Sequence, residues 1–139
     1  METKAALSQE WTTLQNNHER YETGALLIKL LAVLLFFAGA ALAIEPWVLC
    51  LVLLVLWLQE GIFKTYQSRL GDRLLQLERL LANPGEAPDQ AFQLHSAWLL
   101  QRKGMAGLLA EYAASACRPT VAFPHAVLVI AVLVLYLPN

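Results

Sequence analysis

The stretch GALLIKLLAVLLFFAGAALAIEPWVLCLVLLVLWLQEGIF, residues 24–63, decides the fold. Its first part, Gly24–Ile44, runs for 21 residues with a single charge, Lys29. At a helical rise of 1.5 Å per residue it covers about 31 Å, which matches a hydrocarbon core of about 30 Å. Glu45-Pro46 interrupts it, because proline has no N–H to give and suits the first turn of a new helix. Trp47–Leu58 is again apolar throughout. Counted on through Gln59, Glu60, Gly61, Ile62 and Phe63, this second run has 17 residues, just enough to span.

A third run, Val121–Leu137, also has 17 residues. Arg118-Pro119-Thr120 opens it and Pro138 closes it. The expected spans are therefore 24–44, 47–63 and 121–137. Composition points the same way. Of the 139 residues, 58% are hydrophobic and 15% charged, whereas soluble domains average about 45–50% and about 25%. A soluble fold of this size has no room to hide three helices that are apolar on every side.

Ten Lys+Arg against eleven Asp+Glu leave a net charge of −1, without the basic footprint of a nucleic-acid binder. Cys50 and Cys117 are too few for a disulfide framework. A cleaved signal peptide is not expected: the first apolar run starts late, is too long, and follows a polar, Glu-containing leader. The C-terminus carries no lipidation motif.

Loop charges set the expected orientation. Residues 1–23 carry Lys4 and Arg20. Residues 64–118 carry Lys64, Arg69, Arg73, Arg79, Arg102, Lys103 and Arg118, while the 44–46 turn and the tail carry none. The N-terminus and the long loop are expected in the cytoplasm and the C-terminus on the far side. Trp47 and Tyr136 then fall at the outer interface, where amphipathic rings collect. Low cysteine content and compact loops fit a bacterial inner membrane.

The flanking segments are patterned too. Leu7, Trp11, Leu14, His18 and Tyr21 recur at spacings of four and three, a heptad-like, coiled-coil stripe. Phe63, Leu70, Leu74, Leu77 and Leu81 continue the second span in the same way. The expected helices cover about 3–44 and 47–82. A tight turn at Glu45-Pro46 makes them antiparallel. That register sets Leu14 near Leu77, Trp11 near Leu80, Tyr21 near Leu70 and Ile28 near Phe63. It also pairs Glu22 with Arg69, Glu19 with Arg73 and Arg20 with Asp72. Asn83-Pro84-Gly85 stops the second helix. Residues 84–88 form a loop, and Pro88-Asp89 opens a helical segment over 89–117 that Gly104 and Gly107 can break in two. This segment folds back on the hairpin or lies in the membrane interface. The whole is one all-α membrane domain: a cytoplasmic helix 1–23, two spans, a helical continuation 64–83, the loop, the 89–117 segment and a third span.

Lys29 and Glu60 are ionisable groups inside apolar spans, which by default suggests function. His125 lies at similar depth, with Gln59 near it. The structural reading is an ion pair that fixes helix register, with Lys29 snorkelling to the interface. The functional reading is a proton- or ion-handling cluster of Lys29, Glu60 and His125. A pathway needs polar groups along its length. Residues 30–44 offer none, 47–58 only Cys50, and 126–137 only Tyr136. Gly39 and Ala43 form a small-residue patch suited to close helix packing. Trp11, Trp98 and Tyr112 are candidate anchors for a partner. His18 and His95 read as helix-face residues, and Cys117 is a weak candidate for reversible lipidation. No HExxH, CxxC, EF-hand loop or nucleophile–base pair occurs, so no metal, cofactor, catalytic residue or small-molecule substrate is expected. The expected partners are the bilayer and either a membrane protein or further copies of this chain. The expected role is association, as a self-associating protein or an accessory subunit, with an oligomeric channel or ion-coupled transporter as the alternative.

Overall fold

The computed structural model describes residues 2–83, 91–101 and 104–136. Its elements are α1 (Glu2–Ala41), α2 (Pro46–Ala82), α3 (Leu94–Gln101), α4 (Met105–Ala116) and α5 (Pro119–Tyr136), with no strand among the described residues. The expected loop 84–88 and the helix start at Pro88-Asp89 lie outside the described residues, as does the Tyr136 side chain.

α1 runs unbroken for 40 residues, about 60 Å. It contains no proline and is rich in Leu and Ala, which cost little in a helix. Thr12, Thr13 and Thr23 turn their hydroxyls onto the carbonyls of Ser8, Gln9 and Glu19 one turn back. The helix ends when Ala43 takes a left-handed φ of 51° and the Ile44 N–H reaches back 3.0 Å to the Gly39 carbonyl. This closes the last turn in the manner usually left to glycine. Glu45 is extended, as a residue before proline must be, and Pro46 opens α2.

α1 and α2 pack antiparallel, as a hairpin. The connection between them is Leu42–Glu45, longer than the tight turn expected at Glu45-Pro46. The extra residues slide the facing positions by about one helical turn. Phe63 therefore meets Tyr21, with ring centroids 5.6 Å apart, and lies over Gly24 instead of Ile28. Tyr66 stacks on Tyr21 at 6.2 Å, where Leu70 was expected. The three expected ion pairs are corrected too, and no salt bridge joins Arg20 to Asp72 among the described residues. Glu22 pairs with Lys64 at 2.7 Å, Arg69 with Glu111 at 3.0 Å, and Arg73 with Glu10 at 2.9 Å.

Two apolar clusters divide the bundle. At the end holding the N-terminus, Leu7, Leu14, Leu74, Leu77 and Leu80 form a core, and Trp11, Leu70, Leu81, Ala91 and Leu94 pack against it. α3 thus folds back onto the hairpin. Toward the Leu42–Glu45 turn, Ala32, Phe36, Leu49, Leu53, Leu128 and Val132 form the second cluster, which brings α5 onto α1 and α2. α5 runs antiparallel to α2. The expected 89–117 segment divides at Gly104, the residue before α4, while Gly107 lies inside α4. α4 and α5 meet at a bend of 73°.

Leu26, Leu30, Leu34 and Phe37 on α1, Leu51 and Val55 on α2, and Val127, Ile130 and Val134 on α5 are exposed. They make a continuous apolar belt around the turn end. α1 and α2 are each long and apolar enough to cross a membrane, and α4 with α5 could supply a third crossing only if the bent pair is counted as one.

Candidate functional site

The site is built where the apolar belt gives way to the polar end. Glu60 of α2 is wholly buried, and its two oxygens face two other helices. Lys29 Nζ of α1 stands 3.1 Å from Oε1. That contact is an ion pair and not a directed hydrogen bond, since Oε1 has no hydrogen-bond partner. His125 of α5, also wholly buried, has Nε2 at 2.9 Å from Oε2. The nitrogen nearest a carboxylate is the one that carries the proton, so Nε2–H donates to Oε2. His125 Nδ1 is buried with no partner. The indole of Trp57 lies parallel to the imidazole, 8° between planes and 6.1 Å between centroids. Lys29 is about three-quarters buried, at 24% exposure, with its charge on Glu60.

Small and hydroxyl side chains beside Glu60 bring α5 into place. A Cβ on Gly61 would stand 3.0 Å from Ala116 Cβ and 3.2 Å from its backbone N, so only glycine lets the end of α4 approach so closely. The Trp57 indole N–H donates to the Ala116 carbonyl at 2.8 Å. The Ser115 hydroxyl lies 2.8 Å from Thr65 Oγ1, which itself reaches the Gly61 carbonyl at 3.0 Å. With α4 pinned here, the turn at Cys117-Arg118 delivers α5 so that His125 meets Glu60.

Beyond this node, α1, α2 and α3 enclose a groove of about 610 Å³ lined by Tyr21, Tyr66, Arg69, Asp72, His95 and Trp98, among others. The Arg69 guanidinium lies 5.3 Å from the Tyr66 ring centroid and 5.2 Å from that of Trp98, and is held by Glu111. Arg73, on the groove wall, forms a two-pronged contact with Glu10, 2.9 Å from Nε to Oε1 and 3.3 Å from Nη2 to Oε2. Glu10 also accepts the backbone N–H of Phe92. At the edge of the polar end, Lys64 donates to Glu22, and Gln67 donates to the same carboxylate. The hydrogen bond from Lys64, then that from Gln67, holds the Glu22 carboxyl below its usual range.

The structure thus brings Lys29, Glu60 and His125 together and leaves Gln59 exposed and outside the node. Gly39 makes the close helix approach, with Leu49 Cδ1 standing 2.9 Å from where its Cβ would be. Ala43 lies past the end of α1 and is exposed. Trp98 lines the groove, Tyr112 is half-buried, and Trp11 sits elsewhere, its indole N–H on Glu78. Among the described residues no group of three or more His, Cys, Asp or Glu side chains is placed to hold a metal ion. Sequence reasoning missed Glu10, Gly61, Thr65 and Ser115. Glu10 had a signal, since it sits three residues after Leu7 and four before Leu14 on the buried stripe. No protein family, curated protein or solved structure matches the chain.

Proposed function

We propose that this chain is an integral membrane protein that acts by association. α1, α2 and α5 form a three-helix anchor. The N-terminus and the α2–α5 connection face the cytoplasm, where the Lys and Arg residues of the loops concentrate. The groove between α1, α2 and α3 receives the partner, which is either a second copy or a subunit of a larger membrane complex.

One observation carries this reading. Every ionisable group inside the apolar belt finds its counterpart within the chain, at Lys29, Glu60 and His125, while the groove at the polar end stands open. From the node to the turn, residues 30–41 and 126–135 are apolar and 47–58 hold only Cys50 as a polar side chain. The intramembrane charges therefore serve to join three helices, and the surface left for binding is the cytoplasmic one. The test is native mass spectrometry of protein extracted in mild detergent. The wild type is expected as a homo-oligomer or with a stoichiometric second subunit. Trp98→Ala should lose that assembly while keeping its helical content, and Val134→Ala should retain it. A wild-type protein that is monomeric and alone would overturn the proposal.

The runner-up, an oligomeric channel or ion-coupled transporter, draws support from the unpartnered His125 Nδ1 beside a buried carboxylate. It requires that Glu60→Gln change ion flux in liposomes without changing assembly. Absence of flux for the wild type across pH and voltage removes it.

A further inference from the structure

We infer that α4 lies flat in the headgroup–acyl boundary of the bilayer, with lipid covering the face made by Met105, Ala106, Leu109, Ala110, Ala113 and Cys117. This rests on the membrane reading above and adds a surface that the reading does not need.

Four observations converge on α4. Its outward face is apolar from end to end. Met105 and Leu109 are 71% and 62% exposed, and Ala106, Ala110 and Ala113 are exposed too. The one charged side chain of α4, Glu111, pairs with Arg69 of α2 and so is drawn toward that helix, with 42% of the side chain exposed. Direction is the second point. α5 runs antiparallel to α2 and α4 meets α5 at 73°, so a bilayer crossed by α2 has α4 running close to its plane. Depth is the third. The C-terminal end of α4 docks on Gly61 and Thr65, one turn from Glu60 and level with the Lys64–Glu22 pair. That is where the apolar belt of Leu26 and Leu30 stops. The fourth is the flanking charge. The sequence sets Arg102 and Lys103 before Gly104 and Arg118 after Cys117, and cations at such positions sit among lipid phosphates.

An amphipathic helix of this kind buries its apolar face about 5–10 Å into the boundary. The belt on α1, α2 and α5 already requires hydrocarbon around it, and the α4 face continues that belt at its edge. The lipid surface is therefore the occupant that the rest of the molecule supplies. In this position α4 acts as a stop: it fixes how deep the hairpin sits and keeps the groove above it in water.

The test uses nitroxide labels on single cysteines of the full chain in vesicles of phosphatidylcholine and phosphatidylglycerol. In a Cys50→Ala background the native Cys117 is labelled. With Cys117→Ser added, labels go on Leu109→Cys, on Leu34→Cys in the belt, and on Ser8→Cys near the N-terminus. Collision rates are measured with oxygen, which concentrates in lipid, and with a nickel chelate, which stays in water. The oxygen-to-nickel ratio at 109 and 117 should exceed that at 8 by on the order of tenfold and fall below that at 34, as shallow burial requires. A ratio at 109 equal to that at 8 overturns the inference. Low access to both reagents with spin–spin broadening also overturns it, because a second copy would then cover the face. If the label at 34 is itself open to nickel, the membrane reading fails as a whole, and that outcome is distinct from the other two.

Discussion

Replacing Glu10 with alanine should loosen the whole polar end of the bundle. Glu10 and Arg73 are 6% and 4% exposed at their side chains. Arg73 has two nitrogens on the Glu10 carboxylate and a third, Nη1, 3.0 Å from Gln76 Oε1. Alanine leaves Gln76 in place but removes the two-pronged carboxylate contact of this buried guanidinium. It also strips the Phe92 N–H of its acceptor, at a residue held in a left-handed φ of 60°. Removing one partner of a buried ion pair costs about 3–5 kcal/mol, mostly because the remaining charge loses its close counter-charge. Against a typical total stability of about 5–15 kcal/mol this is enough to open α3 and the ends of α1 and α2 locally. The assay is amide hydrogen exchange in lipid nanodiscs, followed over residues 5–15 and 94–101. Exchange there should accelerate by at least on the order of a hundredfold in Glu10→Ala, since each 1.4 kcal/mol is a factor of ten, while residues 30–40 stay protected. The double variant Glu10→Leu, Arg73→Leu should recover most of the protection, because an apolar pair of similar bulk carries no stranded charge. Two results refute the reasoning: a change below tenfold for Glu10→Ala, or a double variant no better than the single.

Acid should dissolve the Glu22 contacts. The Glu22 carboxyl titrates below its ordinary value of 4.5 in the folded protein, so its contribution is complete above that value and fades as pH falls through the lower, folded one. The stability difference between wild type and Glu22→Gln, measured by denaturant titration, should be constant above about pH 5 and shrink on acidification. Gly61 and Gly71 should respond oppositely to alanine. At Gly61 the new Cβ meets backbone of Ala116 at 3.2 Å, so α4 must shift at a cost of about 1–3 kcal/mol, read as altered Trp57 fluorescence and a lower unfolding midpoint. At Gly71 the nearest atom is His18 Nε2 at 4.0 Å, so Gly71→Ala should raise stability by about 0.5–1 kcal/mol through helix propensity.

Much of this fold is written in local pattern. The 3.6-residue period and the length of the apolar runs specify helices over α1 and α2, and Pro46 marks where the second begins. The pairing of Lys29 with Glu60 was visible because two charges in apolar surroundings must find each other, and a one-turn slip still leaves a lysine within reach of a glutamate. His125 was placed by depth alone. The register of the hairpin was not legible, since it depends on how many residues the connection consumes. Ala43 takes a left-handed conformation that sequence would assign to glycine, and the helix stops at Ala41, not Ile44. The ion pairs of Glu22, Arg69 and Arg73 followed that slip.

What the sequence determined by itself is whatever nearest neighbours decide: helical class, apolar lengths, the charge bias of the loops, and the break at Pro46. Tertiary structure alone decided which carboxylate each arginine meets, that Glu10 is buried, and that α4 turns 73° away from α5. These outcomes rest on contacts between residues far apart in sequence, 42 positions for Arg69–Glu111 and 82 for Glu10–Phe92. No local propensity encodes them, because the free energy that selects them comes from burying one helix against another and appears only when both are present.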